Sequence, residues 1–401
     1  MNGEEELFAS CSLQQLLRDS EHPLRERAYR QPRSAEELAE KKSGFYEIER
    51  GDSPFALGLT DYAHALLTGW SAWAGDRPFA SAYPAVAGKL AANFGRLAAK
   101  RRIVTASLEP VVPYGGAAAA ADGGIALSGK QHFGRDVLYA DELLLFVQER
   151  GDQGVGSIWL LPLKESLSRG TSKTVLESAG VTIYFDGAFI PEERALVFRL
   201  PEAAGRLAGD PAFTALADYQ WSARQIERLG LALGAAFAWA ERTELSQELH
   251  IQSALGEAIQ GLETLKALVH AAELEASPAP DGSYAPSVVP LAAARKAGGA
   301  YYKHALGLLE RLAGSAWFAE AGEADPLVRL TLKLIGSEAA FWRTRHEAYA
   351  FGDPIREAAR YYGLYPAGRL RARYASFWEQ VLPERAYAEE TRLSLKGGEV
   401  R

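Results

Sequence analysis

The first hundred residues carry apolar positions at helical period, broken by short polar segments. In LTDYAHALLTGWSAWA, Leu66, Trp70 and Trp73 recur near helical spacing, and YPAVAGKLAANFGRLAAKR continues in the same way. Upstream, Ser34 precedes AEELAEKKSGFYEIER as an N-cap, with Glu37 three residues on. The period changes at residue 101. Between 101 and 198, short apolar runs bounded by turn residues predict strands. Gly123 and Gly124 form a turn, Gly129 ends the run Ile125–Ser128, and a polar turn, Lys130–Asp136, leads into the apolar run Leu143–Val147. Val181, Ile183 and Phe185 then alternate at period two. Pro191, Glu192 and Glu193 stop that strand as a turn or the first turn of a short helix. The low-complexity run Tyr114–Gly124 is compatible with a loop or a short helix.

Helical patterning returns from 205 to 380. No proline interrupts Phe213–Ala276, and Leu229, Leu233, Ala236, Phe237 and Ala240 fall on one stripe. Residues 277–286 read as a loop. Asp325-Pro326 and Asp353-Pro354 have N-cap and N1 chemistry, bracketing a helix near 326–351 and starting another near 354. Helices, then strands, then helices make an α+β plan rather than a doubly wound sheet. Its expected domains are 1–100, helical; 101–200, β; and 201–401, a helical bundle. No GxGxxG in a βαβ setting and no P-loop is present.

Composition narrows the function classes. The formal charge is −7, from 44 basic and 51 acidic side chains, with no basic stripe for nucleic acid. Cys11 is the only cysteine, which excludes an internal disulfide and a Cys-based metal site. The dispersed histidines lack metal spacing, so no metal is expected. No apolar run reaches the roughly 18 residues of a membrane span, and the acidic N-terminus is unlike a signal peptide. These features predict a cytoplasmic protein. Trp70, Trp73, Trp221 and Trp239 read as core or subunit interface.

Several segments, in order, resemble the 4-hydroxyphenylacetate 3-hydroxylase family, reduced-flavin aromatic monooxygenases with an acyl-CoA dehydrogenase-like fold. They are PRSAEELAEKK with GLTDYAHALLTGW, RRIVTASLEP, SGKQHFGRDVLYADELLLF, YFDGAFIPEERALVF, LGEAIQGLETLKALVHAAELEA and RLTLKLIGSEAAFWRTRHEAYAFGDP. The resemblance spans about residues 30–366. It implies flavin held between the β-domain and the helical bundle, with FAD as FADH2 from a separate flavin reductase. O2 would add to give a flavin C4a-hydroperoxide, and a phenolic or other electron-rich substrate would be hydroxylated. It also implies a homotetramer or homodimer.

The resemblance places Tyr62 at the substrate, with Ala106 and Gln148 as further substrate contacts. Thr105, Ala106, Ser107, Arg135, Trp342 and Arg343 become the flavin contacts. Arg135 would stabilise an anionic reduced flavin or a substrate carboxylate, or would be a turn arginine paired with Asp136. His132, in the same turn, suits acid–base work, or fills space there. The chain departs from the family at four places. Leu57–Thr60 lacks the arginine before Asp61-Tyr62, Ala106 replaces a histidine, Arg135 replaces a threonine, and Ala339–Trp342 replaces a Phe-Gly-Gly-Arg run. These departures point away from 4-hydroxyphenylacetate itself. Two other readings stay open: an acyl-CoA dehydrogenase-like flavin oxidoreductase, and a flavin-less binding or scaffold protein. A lone cysteine excludes the iron–sulfur chemistry of the related 4-hydroxybutyryl-CoA dehydratases.

Overall fold

The computed structural model describes residues 23–51, 60–107, 110–113, 119–121, 123–148, 155–177, 180–314, 325–338, 340, 341, 343, 344 and 354–381. Helices come first: α1 (Pro23–Tyr29), α2 (Ala35–Gly51), α3 (Thr60–Trp73), α4 (Arg77–Ala82) and α5 (Pro84–Ala99). Strands follow: β1 (Val104–Ala106), β2 (Ala119–Ala121), β3 (Gly124–Phe133), β4 (Glu142–Gln148), β5 (Val155–Pro162), β6 (Ser172–Leu176), β7 (Val181–Pro191) and β8 (Ala195–Val197). The short α6 (Leu163–Ser168) sits among them. Helices resume with α7 (Pro201–Gly209), α8 (Pro211–Arg242), α9 (Leu249–Leu274), α10 (Val288–Ala313) and α11 (Pro326–Thr331). The chain divides into two compact units at Pro354. The second unit contributes α12 (Pro354–Leu364) and α13 (Ala367–Val381). The α+β class expected from the patterning is the class observed.

Ser34 caps α2, its Oγ accepting the Glu37 N–H at 3.3 Å. The Glu37 carboxylate reaches past Ser34 to the Arg33 N–H at 2.7 Å, a capping box displaced by one residue. Asp210 starts α8 in the same way, accepting the Ala212 N–H at 3.1 Å ahead of Pro211.

The strands form a sandwich. The inner sheet has the order β1-β4-β5-β8, with β1 parallel to β4; the outer sheet has the order β2-β3-β7-β6 and is antiparallel. The inner sheet is buried on both faces, which explains the unbroken apolar run Leu143–Val147. Leu143, Leu145, Val147, Trp159 and Leu161 fill the sandwich. Leu144, Phe146, Ile158 and Leu160 face the helices and join their core.

Four local expectations are corrected. β3 does not end at Gly129: it continues to Phe133 through a register shift between Leu127 and Gly129. The extra residue of that bulge lies on β7, at Asp186-Gly187, and Gly129 itself pairs with Phe185. Residues 130–133 are therefore strand, and the turn expected there is replaced by a 3₁₀ helix, Arg135–Tyr139. Residues 277–286 hold a two-stranded ribbon, Ser277–Pro278 against Tyr284–Ala285, where a loop was expected. Phe237 is exposed, off the buried stripe of its neighbours. The helix expected near 326–351 changes character at Leu332–Gly336, a π turn, and breaks at Ser337. Residues 345–353, Asp353 among them, lie outside the described residues.

α3 has no exposed face between residues 62 and 70. Its Gly69 meets the first turn of α8, where a Cβ would come within 2.8 Å of the Phe213 carbonyl oxygen. No rotamer relieves a contact made by Cβ with backbone. Gly69→Val should therefore cost about 1–3 kcal/mol of overpacking, since valine and glycine differ by only roughly a few tenths of a kcal/mol in helix propensity. Urea denaturation checks it; an unchanged midpoint would mean that α3 and α8 part freely.

Candidate functional site

α3 and α8 run antiparallel and meet along one seam. Gly69 and Trp73 face Phe213, and Tyr62 meets Trp221 edge-on, with ring centroids 6.1 Å apart at 81°. Tyr62 and Trp221 are both buried. A helix carries residues three, four and seven apart on one face. Arg224 and Arg228 therefore share the Trp221 face of α8 and lie beyond the first turn of α3. Both arginines are buried, as are Gln220 and Gln225 beside them. This buried polar row is absent from the sequence-based site. Its signal is present in DYQWSARQIERLG, where Gln220, Arg224 and Arg228 repeat at four residues.

The inner sheet supplies the other wall. Ala106 joins the same continuous core as Tyr62, Trp221, Leu144 and Phe146. Thr105 has the opposite parity. Its Oγ1 donates to Asp136 Oδ2 at 2.6 Å within the sandwich, so its hydroxyl faces away from the helices. Ser107 is buried just after β1, and Gln148 is half-buried at the end of β4, its N–H bonded to the Val111 carbonyl at 2.9 Å.

Arg135 opens the 3₁₀ helix beside Asp136, but its side chain lies outside the described residues. Trp342, Ala339 and Arg345 are likewise outside them. His132 is on a strand of the outer sheet, not in a turn. Its Nδ1 is 3.3 Å from Thr182 Oγ1 and 3.6 Å from Glu177. The sandwich interior separates that position from the helical seam, so His132 and Tyr62 are not brought together. Arg343 is buried, and its Nη2 donates to the Lys333 carbonyl at 3.2 Å. Among the described residues, no group of three or more His, Cys, Asp or Glu side chains could hold a metal ion. No helix among them is long and apolar enough to cross a membrane.

Residues 204–327, from within α7 to the start of α11, match the family profile described as 4-hydroxyphenylacetate 3-hydroxylase C terminal, HpaB. The chain is HpaB-like, with an acyl-CoA dehydrogenase-like fold. A probable 4-hydroxyphenylacetate 3-monooxygenase of Bacillus subtilis (strain 168) is 27% identical to this HpaB-like chain over 208 residues. That match covers 46% of the chain and 43% of the relative, so it spans less than half the length of that curated protein. The crystal structure of the oxygenase component (HpaB) of 4-hydroxyphenylacetate 3-monooxygenase superposes with a TM-score of 0.72 at 19% identity, over 89% of this chain and 85% of that one. The same oxygenase component has been solved with FAD and 4-hydroxyphenylacetate. An oxygen-tolerant 4-hydroxybutyryl-CoA dehydratase from N. maritimus superposes with a TM-score of 0.65 at 11% identity, over 83% of this chain and 78% of that one. At such identities the superpositions speak for the fold. The family resemblance and the fold expected from the sequence are both borne out.

Proposed function

We propose that this HpaB-like chain is the oxygenase component of a two-component flavin monooxygenase. It takes reduced FAD from a separate reductase and hydroxylates a small phenolic or other electron-rich substrate. The observation that carries this reading is the position of the family match. The matched segment contains the whole of α8, the helix that sets Trp221 against Tyr62 and carries the buried Arg224 and Arg228.

The donor set suits a flavin in its reduced state. A planar, anionic ring system with a diphosphate calls for aromatic walls, amide donors and fixed cations. Tyr62 and Trp221 supply walls, Gln220 and Gln225 amides, and Arg224 and Arg228 buried guanidiniums. Bound reduced FAD supplies the electrons that activate O2. The protein orients the substrate and keeps water out. Leu144, Phe146 and Ala106 give the seam an apolar floor that excludes water. The Tyr62 hydroxyl is the group suited to hold a phenol or phenolate. Ala106, where the family has histidine, leaves that proton to another group and favours a substrate other than 4-hydroxyphenylacetate.

Anaerobic titration with FADH2, followed by admission of O2 and product analysis over a panel of phenols, tests the reading. Colourless purified protein that binds FADH2 and yields hydroxylated product is expected. Yellow protein with tightly held FAD would turn the assignment to a dehydrogenase-like oxidoreductase. Absence of FAD and FADH2 binding at tens of micromolar would leave a binding protein. In the same titration, Arg135→Ala should weaken FADH2 or substrate binding by about tenfold or more, roughly 1.4 kcal/mol. Unchanged affinity would remove Arg135 from the site.

A further inference from the structure

β1 is an edge strand. β4 pairs with one side of it, and among the described residues no strand pairs with the other. Yet Val104, Thr105 and Ala106 are all buried. A buried free edge must satisfy its outward N–H and C=O groups. The side facing β4 uses the Ile103 carbonyl, which accepts the Asp141 N–H at 2.8 Å. The outward side includes the Arg102 carbonyl and the Val104 N–H. Two rings, tilted at 52° to each other, meet them where another strand would lie. Tyr29 Oη donates to the Arg102 carbonyl at 2.7 Å, and His64 Nε2 accepts the Val104 N–H at 3.1 Å. The rings lie 4.8 Å apart, and the His64 carbonyl accepts from Thr68 Oγ1 at 2.7 Å.

We propose that His64 is a positioning residue for the oxygenase site. It ties α3, which carries Tyr62 one half-turn earlier, to β1, which carries Ala106 two residues after Val104 and leads into Ser107. The tie sets the spacing of the two walls of the seam. It rests on the oxygenase reading only for its consequence in turnover; the hydrogen bond itself does not. The imidazole must be neutral at Nε2 to accept an N–H. Burial, then the charge of Lys41 and that of Arg25, hold its pKa down at about 3, against the opposing pull of the Arg102 backbone and Asp141. The acceptor therefore persists throughout the neutral range.

His64→Gln keeps an acceptor at the Nε2 position, and His64→Leu removes it. The Val104 amide should exchange hydrogen slowly in the parent and in the glutamine variant, and at least about tenfold faster in the leucine variant. If the leucine variant does not fold, His64→Asn, whose amide stops short of Val104, takes its place. Fed with FADH2 and a turned-over phenol, the parent and His64→Gln should couple alike. The leucine or asparagine variant should divert reducing equivalents to H2O2 and lose kcat more than KM rises, since about 1 Å of misplacement can cost on the order of 100-fold. Equal amide exchange in all variants overturns the tie. Altered exchange with unaltered coupling overturns its role in positioning. Failure of the parent to turn over any phenol strikes the oxygenase reading and leaves the exchange result to judge the tie.

Discussion

Trp70→Ala should lower the free energy of unfolding by about 3–5 kcal/mol, the range for deleting a fully buried large aromatic side chain. Trp70 has no exposed surface and joins three elements. It sits on α3, packs edge-on against Phe146 of β4 with centroids 6.1 Å apart, and donates its indole N–H to the Leu207 carbonyl of α7 at 2.8 Å. That carbonyl is in the last turn of α7, where helical C=O groups lack partners of their own. The indole thus supplies apolar volume at the sheet–helix boundary and also caps a helix. Trp70→Phe separates the two contributions. It keeps most of the ring and leaves the carbonyl unmet, for a loss of about 1–3 kcal/mol. Chemical denaturation of both variants measures the difference. Alanine and phenylalanine variants of equal stability would show that packing against Phe146 contributes nothing.

The boundary that Trp70 seals is also where sequence patterning was most informative. An unbroken run such as Leu143–Val147 means burial on both faces of a sheet, and both faces are covered. Val181, Ile183 and Phe185 alternate because β7 has one face in the sandwich, and all three are in its core. The proline and two glutamates that end that strand do begin a 3₁₀ turn, Glu192–Arg194. These features depend on neighbours in the chain.

What the patterning did not reveal depends on partners far away. Lys130, Gln131 and His132 are consecutive polar residues, which reads as a turn. They are strand because β7 pairs with them residue by residue, Tyr184, Ile183 and Thr182 in turn. That pairing carries His132 into the outer sheet. Whether Thr105 or Ala106 faces the helices is a matter of parity, set where β1 joins β4. Arg224 and Arg228 do not stand out in the sequence because a buried cation violates the ordinary rule for helix faces. Such a violation is where functional sites are expected.

A third charge on α8 breaks the same rule and is expected to have an equally large effect on stability. Asp218→Asn should cost about 3–5 kcal/mol, the range for removing one partner of a buried ion pair. Asp218 Oδ1 accepts from Arg295 Nη1 of α10 at 2.9 Å, and Oδ2 accepts from Thr214 Oγ1 at 3.2 Å. The two charged side chains are only 8% and 10% exposed. Asparagine keeps the shape and removes the charge that faces the guanidinium, so the loss reports electrostatics rather than volume. The helices cannot separate to admit water at low cost. One turn beyond Arg295, Gly298 lets α10 approach so closely that a Cβ would lie 1.9 Å from Gln225 Oε1. Replacing both partners, Asp218→Leu with Arg295→Met, should recover most of the loss, because well-packed apolar pairs of similar volume often match a buried ion pair. A double-mutant cycle by urea unfolding distinguishes the cases. If Asp218→Asn alone loses less than about 1 kcal/mol, the pair behaves as a solvated surface bridge, and α8 and α10 are held by their apolar contacts instead.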